Sequence, residues 1–505
     1  MNSGPAPARR RTLALLRRMA LLASSAALGA CTTVGPDFKT PAPPAASAGY
    51  VSPAEPAPAN VVVAAAGPED RWWTMFGSPA LSRTIEAALA GSPTLEAAQA
   101  RLVAAREEVA VATGGLYPEV GLGASVAREK QTTASFGLKP STVPLPPHFN
   151  LYQVGVTASY TLDLFGGTRR TIEARQAIAD TRRFERDAAA AALAGNAATR
   201  AIEIATTRAQ LAALEQILAA DRETLDLVRK QREVGAVSDR DVVAADAQLA
   251  ADTALGPPLE QQLSAARHSL AALEGTSPAE WSAPDIDLAD LRLPSQLPVS
   301  LPSELVRLRP DIRAAEAELH AASAEVGVAT ARLYPQITLS AGYTASSLNG
   351  SPMFSPAGAA WSLAGALAQP IFDGGARRAG RRAAVAEFQA SAADYRQTVL
   401  LAFSQVGDIL TALNHDSALL EAQRRALDLA SESLRLERVN YTSGEAGVLS
   451  LLDSQRQLQR AALGHAQVQG QLYLDVVQLI VATGGSGWPA SPPDGPAPAA
   501  ARTMR

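Results

Sequence analysis

The sequence contains an internal duplication, and this feature constrains the fold more than any other. Residues 92–120 align with residues 309–337, and about half of the aligned positions are identical. Three later matches follow in the same order at a spacing of a little over 200 residues: Leu164-Phe165-Gly166-Gly167 with Ile371-Phe372-Asp373-Gly374-Gly375, Gly235 with Gly444, and Gln248-Leu249 with Gln457-Leu458. We therefore expect two copies of one structural unit, the first over 78–300 and the second over 301–484.

Each copy changes from a helical to a strand pattern at a Leu-Tyr-Pro sequence. Beyond it, apolar residues alternate with small or polar residues, most plainly in 152–162 and 337–344. We predict four strands, at about 117–130, 150–163, 334–346 and 358–371. Strands of about ten residues with one apolar face are typical of a membrane β-barrel, although half-buried strands of a soluble sheet remain an alternative.

A long helix is predicted after each pair of strands, over 168–233 in the first copy and over 376–443 in the second. Neither segment contains proline, and the first contains a single glycine, Gly195. At about 1.5 Å per residue, such a helix would reach roughly 100 Å. Apolar residues recur every seven positions, which favours coiled-coil packing: Ile204, Leu211, Leu218 and Leu225, then Val406, Leu413, Leu420, Leu427, Leu434 and Tyr441. A soluble helical bundle would not account for the intervening strands.

The long helices are expected to end in tight turns rich in small residues, at 234–238 and 443–447. Ser238 and Asp241 have the spacing of a capping box for the helix that follows the first turn. We predict returning helices at 239–255, interrupted at Gly256-Pro257-Pro258 and resumed at 259–274, and at 448–482. The proline-rich stretch 275–302 is expected to pack beside the helices as a small mixed collar.

The N-terminus is typical of an exported lipoprotein. Five arginines precede a short apolar run, and the run ends in Leu28-Gly29-Ala30-Cys31, which resembles a bacterial lipobox. We predict a signal peptide over 1–30 and a covalent lipid on Cys31, followed by an extended segment over 31–77. A plain secretory signal with an incidental cysteine is the alternative. Thr32 follows the cysteine, and a residue other than Asp there favours sorting to the outer membrane. Residues 485–505 are interpreted as a disordered Pro/Ala tail.

Several classes of function lack support in the sequence. With 45 basic and 49 acidic side chains the chain has no charge excess for nucleic acid, and its single cysteine allows no intrachain disulfide or thiolate metal cluster. The five histidines are scattered, and no phosphate-binding glycine loop is present. We therefore predict that the protein is not an enzyme and that it has no metal and no cofactor other than the lipid on Cys31. No segment has 18 uninterrupted apolar residues for a transmembrane helix.

Four strands cannot close a barrel, so the strand count predicts an assembly. An open sheet edge in lipid leaves backbone groups without hydrogen bonds, which is costly. Three copies would pool twelve strands into one barrel and gather the long helices into a hollow cylinder. The predicted fold class is a mixed α+β membrane protein, a homotrimer with a shared 12-stranded barrel and a long periplasmic α-helical coiled-coil barrel.

The motifs in combination resemble those of the TolC/OprM superfamily, and more narrowly the NodT-type outer-membrane lipoproteins of resistance-nodulation-division efflux systems. Besides the paired motifs and the lipobox with Val34-Gly35-Pro36-Asp37-Phe38, the resemblance rests on Pro257-Pro258-Leu259-Glu260, His268-Ser269-Leu270, Arg307-Leu308-Arg309-Pro310-Asp311-Ile312 and Leu452-Asp453-Ser454-Gln455-Arg456. It implies a trimeric exit duct, anchored in the outer membrane and projecting into the periplasm. The duct would dock onto a periplasmic adaptor and an inner-membrane proton-driven pump and conduct small molecules passively.

Two rival functions stay open at this point. A duct for type I protein secretion or for metal export would have a similar tube. A non-conducting structural lipoprotein of the periplasm is the alternative from another class. The scarcity of methionine, at five residues, disfavours copper or silver export slightly.

The resemblance also implies a periplasmic gate on the helix that follows the second turn. Leu449, Asp453 and Arg456 match the gate positions, and their i, i+4, i+7 spacing places them on one helix face. Around a three-fold axis, Leu449 would form an apolar constriction and Asp453 a carboxylate ring. Arg456 would pair with a carboxylate on a neighbouring helix, and Tyr441 would brace the closed tip by hydrogen bonding. An ordinary solvated face is the alternative.

The resemblance further implies that the tips of the helical hairpins contact the adaptor. The tip positions are Gly235, Ser238, Gly444 and Gly447. At the positions that align with the three gate residues, the first copy has Arg240, Ala244 and Ala247, so any gate is expected to differ between the two copies.

Overall fold

The computed structural model of the chain describes residues 33–42, 49–51, 61–64, 71–130, 148–294, 296–300, 302–348 and 353–485. The predicted signal peptide, the lipidation site Cys31, most of the loop at 131–149 and nearly all of the C-terminal tail lie outside these residues. Two compact units are present. The first comprises Met1–Thr40, Val103–Asp180 and Glu316–Ala393, and the second comprises Pro41–Leu102, Thr181–Ala315 and Asp394–Arg505. Each unit therefore takes segments from both sequence copies.

The first copy contains the elements that follow a short N-terminal strand, β1 (Val61–Ala64), and a 3₁₀ turn at Trp72–Phe76. They are, in chain order, α1 (Pro79–Gly91), α2 (Pro93–Gly114), β2 (Glu119–Glu129), β3 (Phe149–Leu162), α3 (Gly167–Glu233), α4 (Asp239–Thr253) and α5 (Gly256–Leu273). The break between α4 and α5 falls at Gly256-Pro257-Pro258, where proline is tolerated because the first turn of a helix needs no backbone donor.

The second copy repeats this order after a 3₁₀ turn at Leu288–Asp290 and strand β4 (Leu297–Ser300). Its elements are α6 (Pro302–Leu308), α7 (Pro310–Ala331), β5 (Gln336–Ser347), β6 (Ala359–Ala368), α8 (Ala376–Ser443) and α9 (Val448–Ala482). Among the described residues, no helix combines the length and the apolar character needed to cross a bilayer.

The first unit is built around a four-stranded antiparallel sheet in the order β2-β3-β5-β6. The register keeps the predicted alternation in phase across all four strands. One row across the sheet joins the apolar residues Leu122, Val156, Tyr343 and Trp361, and the neighbouring row joins Gly121, Thr157, Gly342 and Ser362. Because successive side chains point to opposite sides of a strand, the sheet has one apolar face and one face of small and polar residues.

The second unit is mainly helical, and small side chains allow its helices to approach closely. Several alanines of α3, including Ala198, Ala201 and Ala205, are fully buried. Of the predicted heptad positions in this helix, Ile204 and Leu225 are buried while Leu211 and Leu218 are half-buried. The most buried stripe lies three residues further along the helix: Thr207, Leu214, Asp221 and Val228. The packed face of α3 is therefore shifted from the predicted heptad position, and it includes the polar side chains of Thr207 and Asp221.

A small parallel sheet in the second unit adds to the predicted organisation. Strand β1 pairs with β4 in parallel, with Val61 opposite Leu297 and Ala64 opposite Ser300. Residues 31–77 were expected to be extended without regular structure, and a four-residue strand is too short for periodicity to reveal it. The stretch 275–302, expected as a mixed collar, contributes the second 3₁₀ turn and β4.

Candidate functional site

The two helical hairpins turn by the same backbone mechanism. Gly235 and Gly444 have positive φ angles of 76° and 81°. At each turn a backbone N–H donates to the carbonyl five residues earlier, from Ala236 to Gln231 at 2.9 Å and from Glu445 to Asn440 at 2.8 Å. This closure is the usual end of a helix at a left-handed glycine, because glycine adopts the left-handed region without steric cost.

The helices that return from the two turns begin differently. In the first hairpin, the carboxylate of Asp241 accepts hydrogen bonds from the Ser238 N–H at 2.9 Å and from the Ser238 hydroxyl at 2.7 Å. These bonds lower the pKa of Asp241, and the predicted capping box is present. In the second hairpin the N-cap is Gly447, which has no side chain to cap α9. The two returning helices therefore begin with different caps.

A compact apolar cluster lies beneath the two turns and joins four helices. Its buried members are Leu225, Val228, Ala245, Tyr441, Val448, Leu451 and Leu452. The Tyr441 hydroxyl donates to Oε1 of Gln231 on α3, and only 4% of Tyr441 is exposed. Burial raises the pKa of Tyr441, and the negative charge of Asp241 adds to the effect. The phenol therefore stays protonated at neutral pH and links the second hairpin to the first.

The three residues implied as gate positions project from the opposite side of α9. Leu449 is 54% exposed, and the side chains of Asp453 and Arg456 are 61% and 45% exposed. Asp453 accepts a hydrogen bond from the Gln457 amide at 2.8 Å, and its carboxylate lies 3.9 Å from Arg456 Nη2. Within one chain, Arg456 thus pairs with its own helix. Its pairing with a neighbouring helix stays a prediction for the assembled protein.

The exposed pair contributes little to the stability of a single chain. Ion pairs with this degree of exposure are worth about 0–1 kcal/mol, since water screens the charges and both side chains lose freedom. The carboxylate of Asp453 therefore remains accessible to solvent on the exposed face of α9. Several such carboxylates near one axis would attract cations and disfavour anions.

Two polar contacts inside the helical unit were not anticipated. The Gln455 amide of α9 donates to Thr224 Oγ1 of α3 at 2.7 Å, and both residues are buried. Asp221 of α3 and Asp252 of α4 are also buried and interact with each other. Polar residues within an otherwise apolar heptad stripe are the signal that could have revealed them, since Asp221 lies between Leu214 and Val228.

The described residues contain no group of three or more His, Cys, Asp or Glu side chains suited to holding a metal ion. Cys31, the predicted lipidation site, lies outside the described residues.

Curated relatives match nearly the whole chain. It is 31% identical over 490 residues to the pyoverdine export outer membrane protein OpmQ of Pseudomonas putida, covering 95% of this chain and 100% of that protein. It is 30% identical over 465 residues to nodulation protein T of Rhizobium leguminosarum, covering 90% of each.

Solved channel structures match the fold. The outer-membrane channel OprN superposes with a TM-score of 0.80 at 30% identity, covering 90% of this chain and 99% of that one. The open state of the MtrE outer membrane channel of Neisseria gonorrhoeae gives a TM-score of 0.79 at 26% identity, covering 90% and 98%. The family model described as outer membrane efflux protein matches residues 84–276 and 301–485, one segment in each sequence copy, and the chain belongs to this family.

Proposed function

We propose that three copies of this chain form the exit duct of a tripartite efflux pump of the resistance-nodulation-division type. The duct receives small molecules from a periplasmic adaptor and an inner-membrane pump and conducts them passively across the outer membrane. The observation that supports the trimer is an aromatic contact within the chain. The two residues equivalent to this pair in the other sequence copies are exposed in the single chain. The printed names of the relatives support the role in efflux.

The aromatic contact lies where the two sequence copies meet in the first unit. Phe165, just after β3, stacks on Tyr334, just before β5, with ring centroids 4.6 Å apart and planes 17° apart. The duplicates of these two residues are Phe372 and Tyr117. They are 90% and 69% exposed in the single chain. In the trimer, the second sequence copy of one chain would contact the first sequence copy of the neighbouring chain. If this contact repeats the one within a chain, Phe372 stacks on Tyr117 of the neighbouring chain.

The sheet edges support the same assembly. Strands β2 and β6 are the outer strands, and every residue of β6 is exposed. Unpaired edge strands invite pairing, and in hydrocarbon their free backbone groups would cost several kcal/mol each. Joining β6 of one copy to β2 of the next removes both edges, and three copies give a closed 12-stranded barrel.

The N-terminal segment supports a lipid anchor beside this sheet. The Val34 N–H donates to the Phe165 carbonyl at 3.1 Å, and Arg170 Nη2 pairs with Asp37 at 2.6 Å. Residues 33–38 are thereby held where β3 ends. Two residues span at most about 7 Å, and Cys31 is two residues before Thr33. An acyl chain on Cys31 would therefore reach the lipid near the end of β3.

The trimer is tested by thiol cross-linking of the full-length protein. With Tyr117→Cys and Phe372→Cys together, a short bifunctional thiol reagent should join chains into dimers and trimers on a denaturing gel. The matched control carries Phe165→Cys and Tyr334→Cys, which should cross-link only within a chain. Interchain bands from the control pair, or none from the test pair, would contradict the proposed assembly.

Conduction is tested separately by reconstituting the purified protein in planar bilayers. We expect ion conductance from the reconstituted protein, whereas a structural lipoprotein would conduct nothing. Deleting the gene should lower tolerance to small toxic compounds, provided that the partner pump is present. A defect in protein secretion with unchanged tolerance would instead identify a secretion duct.

A further inference from the structure

Two carboxylic acids face each other inside the helical unit without a cationic partner. Asp221 on α3 is 2% exposed and Asp252 on α4 is 3% exposed. Among the described residues, neither forms an ion pair with lysine or arginine. The two side chains lie within hydrogen-bonding reach of each other. Two buried carboxylates in such contact cannot both stay charged at modest cost, because each already loses its hydration.

The hydrogen bonds distinguish the two acids. Both oxygens of Asp252 accept an amide, from Gln248 Nε2 at 2.8 Å and from Gln459 Nε2 at 2.7 Å. Within the described part of the chain, neither oxygen of Asp221 is reached by an N–H or O–H donor. A bond between the two acids then requires a proton on one of them. Asp252 has the donors that stabilise a charge, so the proton resides on Asp221, whose O–H donates to Asp252.

We infer that Asp221 and Asp252 form a proton-binding site in which one shared proton joins α3 to α4 and, through Gln459, to α9. The ligand of the site is the proton itself. The site uses no residue of the proposed gate, and proton binding does not depend on the proposed function.

The charges around the site favour proton retention near neutral pH. Burial, followed by the hydrogen bond to Asp252 and its charge, raises the pKa of Asp221 to about 7, and Arg222 on the same helix opposes the shift. On α4 the facing charged group is Asp252, and α9 presents the neutral amide of Gln459. The facing groups therefore supply no cation that would displace the proton.

A second buried acid, Asp475, lies further along α9 beside Asp416 of α8. Asp475 on α9 is 3% exposed, and one of its oxygens accepts from Gln471 Nε2 at 2.8 Å. Its other oxygen has no donor among the residues that the structure describes. Burial, then a hydrogen bond with Asp416 of α8, raises the pKa of Asp475 to about 7. Helix α9 is thus joined to α3 and α4 by the shared proton, and a second buried acid lies on α9 further from the turn.

The direction of the pH effect follows from the raised pKa. Above the ordinary value of 3.8 the unfolded chain has released the proton of Asp221, while the folded chain keeps it up to about 7. Stability contributed by the site is therefore full below that ordinary value and falls as pH rises to about 7, beyond which it stays lost. Ionisation of the pair also loosens α9, which begins at the gate residues, so closed-state conductance should rise as the pH passes about 7. This link to the gate rests on the proposed function.

The test compares the full-length wild-type protein with Asp221→Asn, whose amide can donate to Asp252 at every pH. In an infrared titration, the carbonyl band of buried protonated carboxyls should disappear in the wild type with a midpoint near 7, and Asp221→Asn should lose part of that band. The fall in the unfolding midpoint with rising pH should become shallower in this variant. Asp428→Asn, at an exposed aspartate of α8, is the matched control and should behave as the wild type.

Three results would overturn the inference. The first is a wild-type infrared spectrum with no carboxyl titrating above the ordinary range. The second is an identical titration in Asp221→Asn. The third is stabilisation by added calcium or sodium at alkaline pH that Asp221→Asn abolishes, which would identify a metal cation as the ligand. A confirmed proton site with pH-independent closed conductance would refute only the link to the gate, and leave the proposed duct untouched.

Discussion

At the residue scale, the first turns of α9 have one buried face and one exposed face. Leu451 and Leu452 are buried in the cluster beneath the hairpin turns, while Leu449 and Asp453 are exposed. The buried residues position the helix, and the exposed ones face solvent in the single chain. A substitution on the exposed face should therefore alter conduction with little effect on folding.

We expect Asp453→Ala to make the closed channel leakier. The substitution removes the carboxylate and its contact with Arg456, both exposed, so stability should change by less than about 1 kcal/mol. Closed-state conductance in planar bilayers is the measurement, and Asp428→Ala serves as the control. Unchanged closed-state conductance would remove Asp453 from the gate.

At the element scale, the turns and the sheet depend on different local rules. The hairpin turns depend on backbone conformation, since Gly444 has a φ of 81° whereas Gly447, three residues later, has an ordinary φ of −87°. The sheet depends on side-chain alternation kept in phase by the register. For each rule, the chain contains two nearby positions at which the same substitution should be tolerated at one and destabilising at the other.

Alanine at Gly444 should destabilise the second hairpin, and alanine at Gly447 should not. Both sites have open space for a Cβ atom, so crowding is equal. The left-handed conformation costs a non-glycine residue about 1–2 kcal/mol, and the ordinary conformation costs nothing extra. Thermal unfolding of the two variants measures the difference, and equal midpoints would contradict it.

Arginine should be tolerated on one face of β6 and not on the other. Leu363 lies opposite Ala341 on the apolar face, while Ser362 lies opposite Gly342 on the face of small and polar residues. Leu363→Arg should destabilise the inserted protein by roughly 2–4 kcal/mol, because a lipid-facing charge near the bilayer midplane is costly. Ser362→Arg should fold and change conductance. Refolding into lipid vesicles compares them, and equal losses would indicate that neither face meets lipid.

At the scale of the whole molecule, duplication provides an approximate symmetry that one chain leaves incomplete. The contact of Phe165 with Tyr334 is made within the chain, whereas its duplicate is left open at Phe372 and Tyr117. Three chains arranged around an axis would satisfy six such contacts. The proposed assembly would follow from the duplication together with the unpaired sheet edges.

Phe372→Ala should weaken the trimer without disturbing the sheet of the single chain. An aromatic pair is worth about 0.5–1.5 kcal/mol beyond its buried area, and three pairs are lost per trimer. The temperature at which the trimer dissociates in detergent should fall, while circular dichroism of the sheet persists. Phe354→Ala, at a phenylalanine that is 85% exposed outside the strands, is the control. An equal fall in both variants, or in neither, would exclude Phe372 from the interface.

The sequence alone determined the features that depend on local periodicity. A helix repeats every 3.6 residues and a strand every two, so the change at Leu-Tyr-Pro, the proline-free helices and the turns at Gly235 and Gly444 follow from composition along the chain. The duplication identified equivalent positions, and the motifs indicated the family. The spacing of Leu449, Asp453 and Arg456 placed all three on one face of the predicted helix, and their role as a gate came from the resemblance alone.

Only the tertiary structure decided which distant residues meet. The strand order β2-β3-β5-β6, the pairing of β1 with β4, and the hydrogen bond from Tyr441 to Gln231 depend on register between segments far apart in sequence. The same holds for Asp221 and Asp252, because a heptad position is core or surface only once the neighbouring helix has been placed against it. Periodicity specifies an element and its faces, and packing then selects the partner.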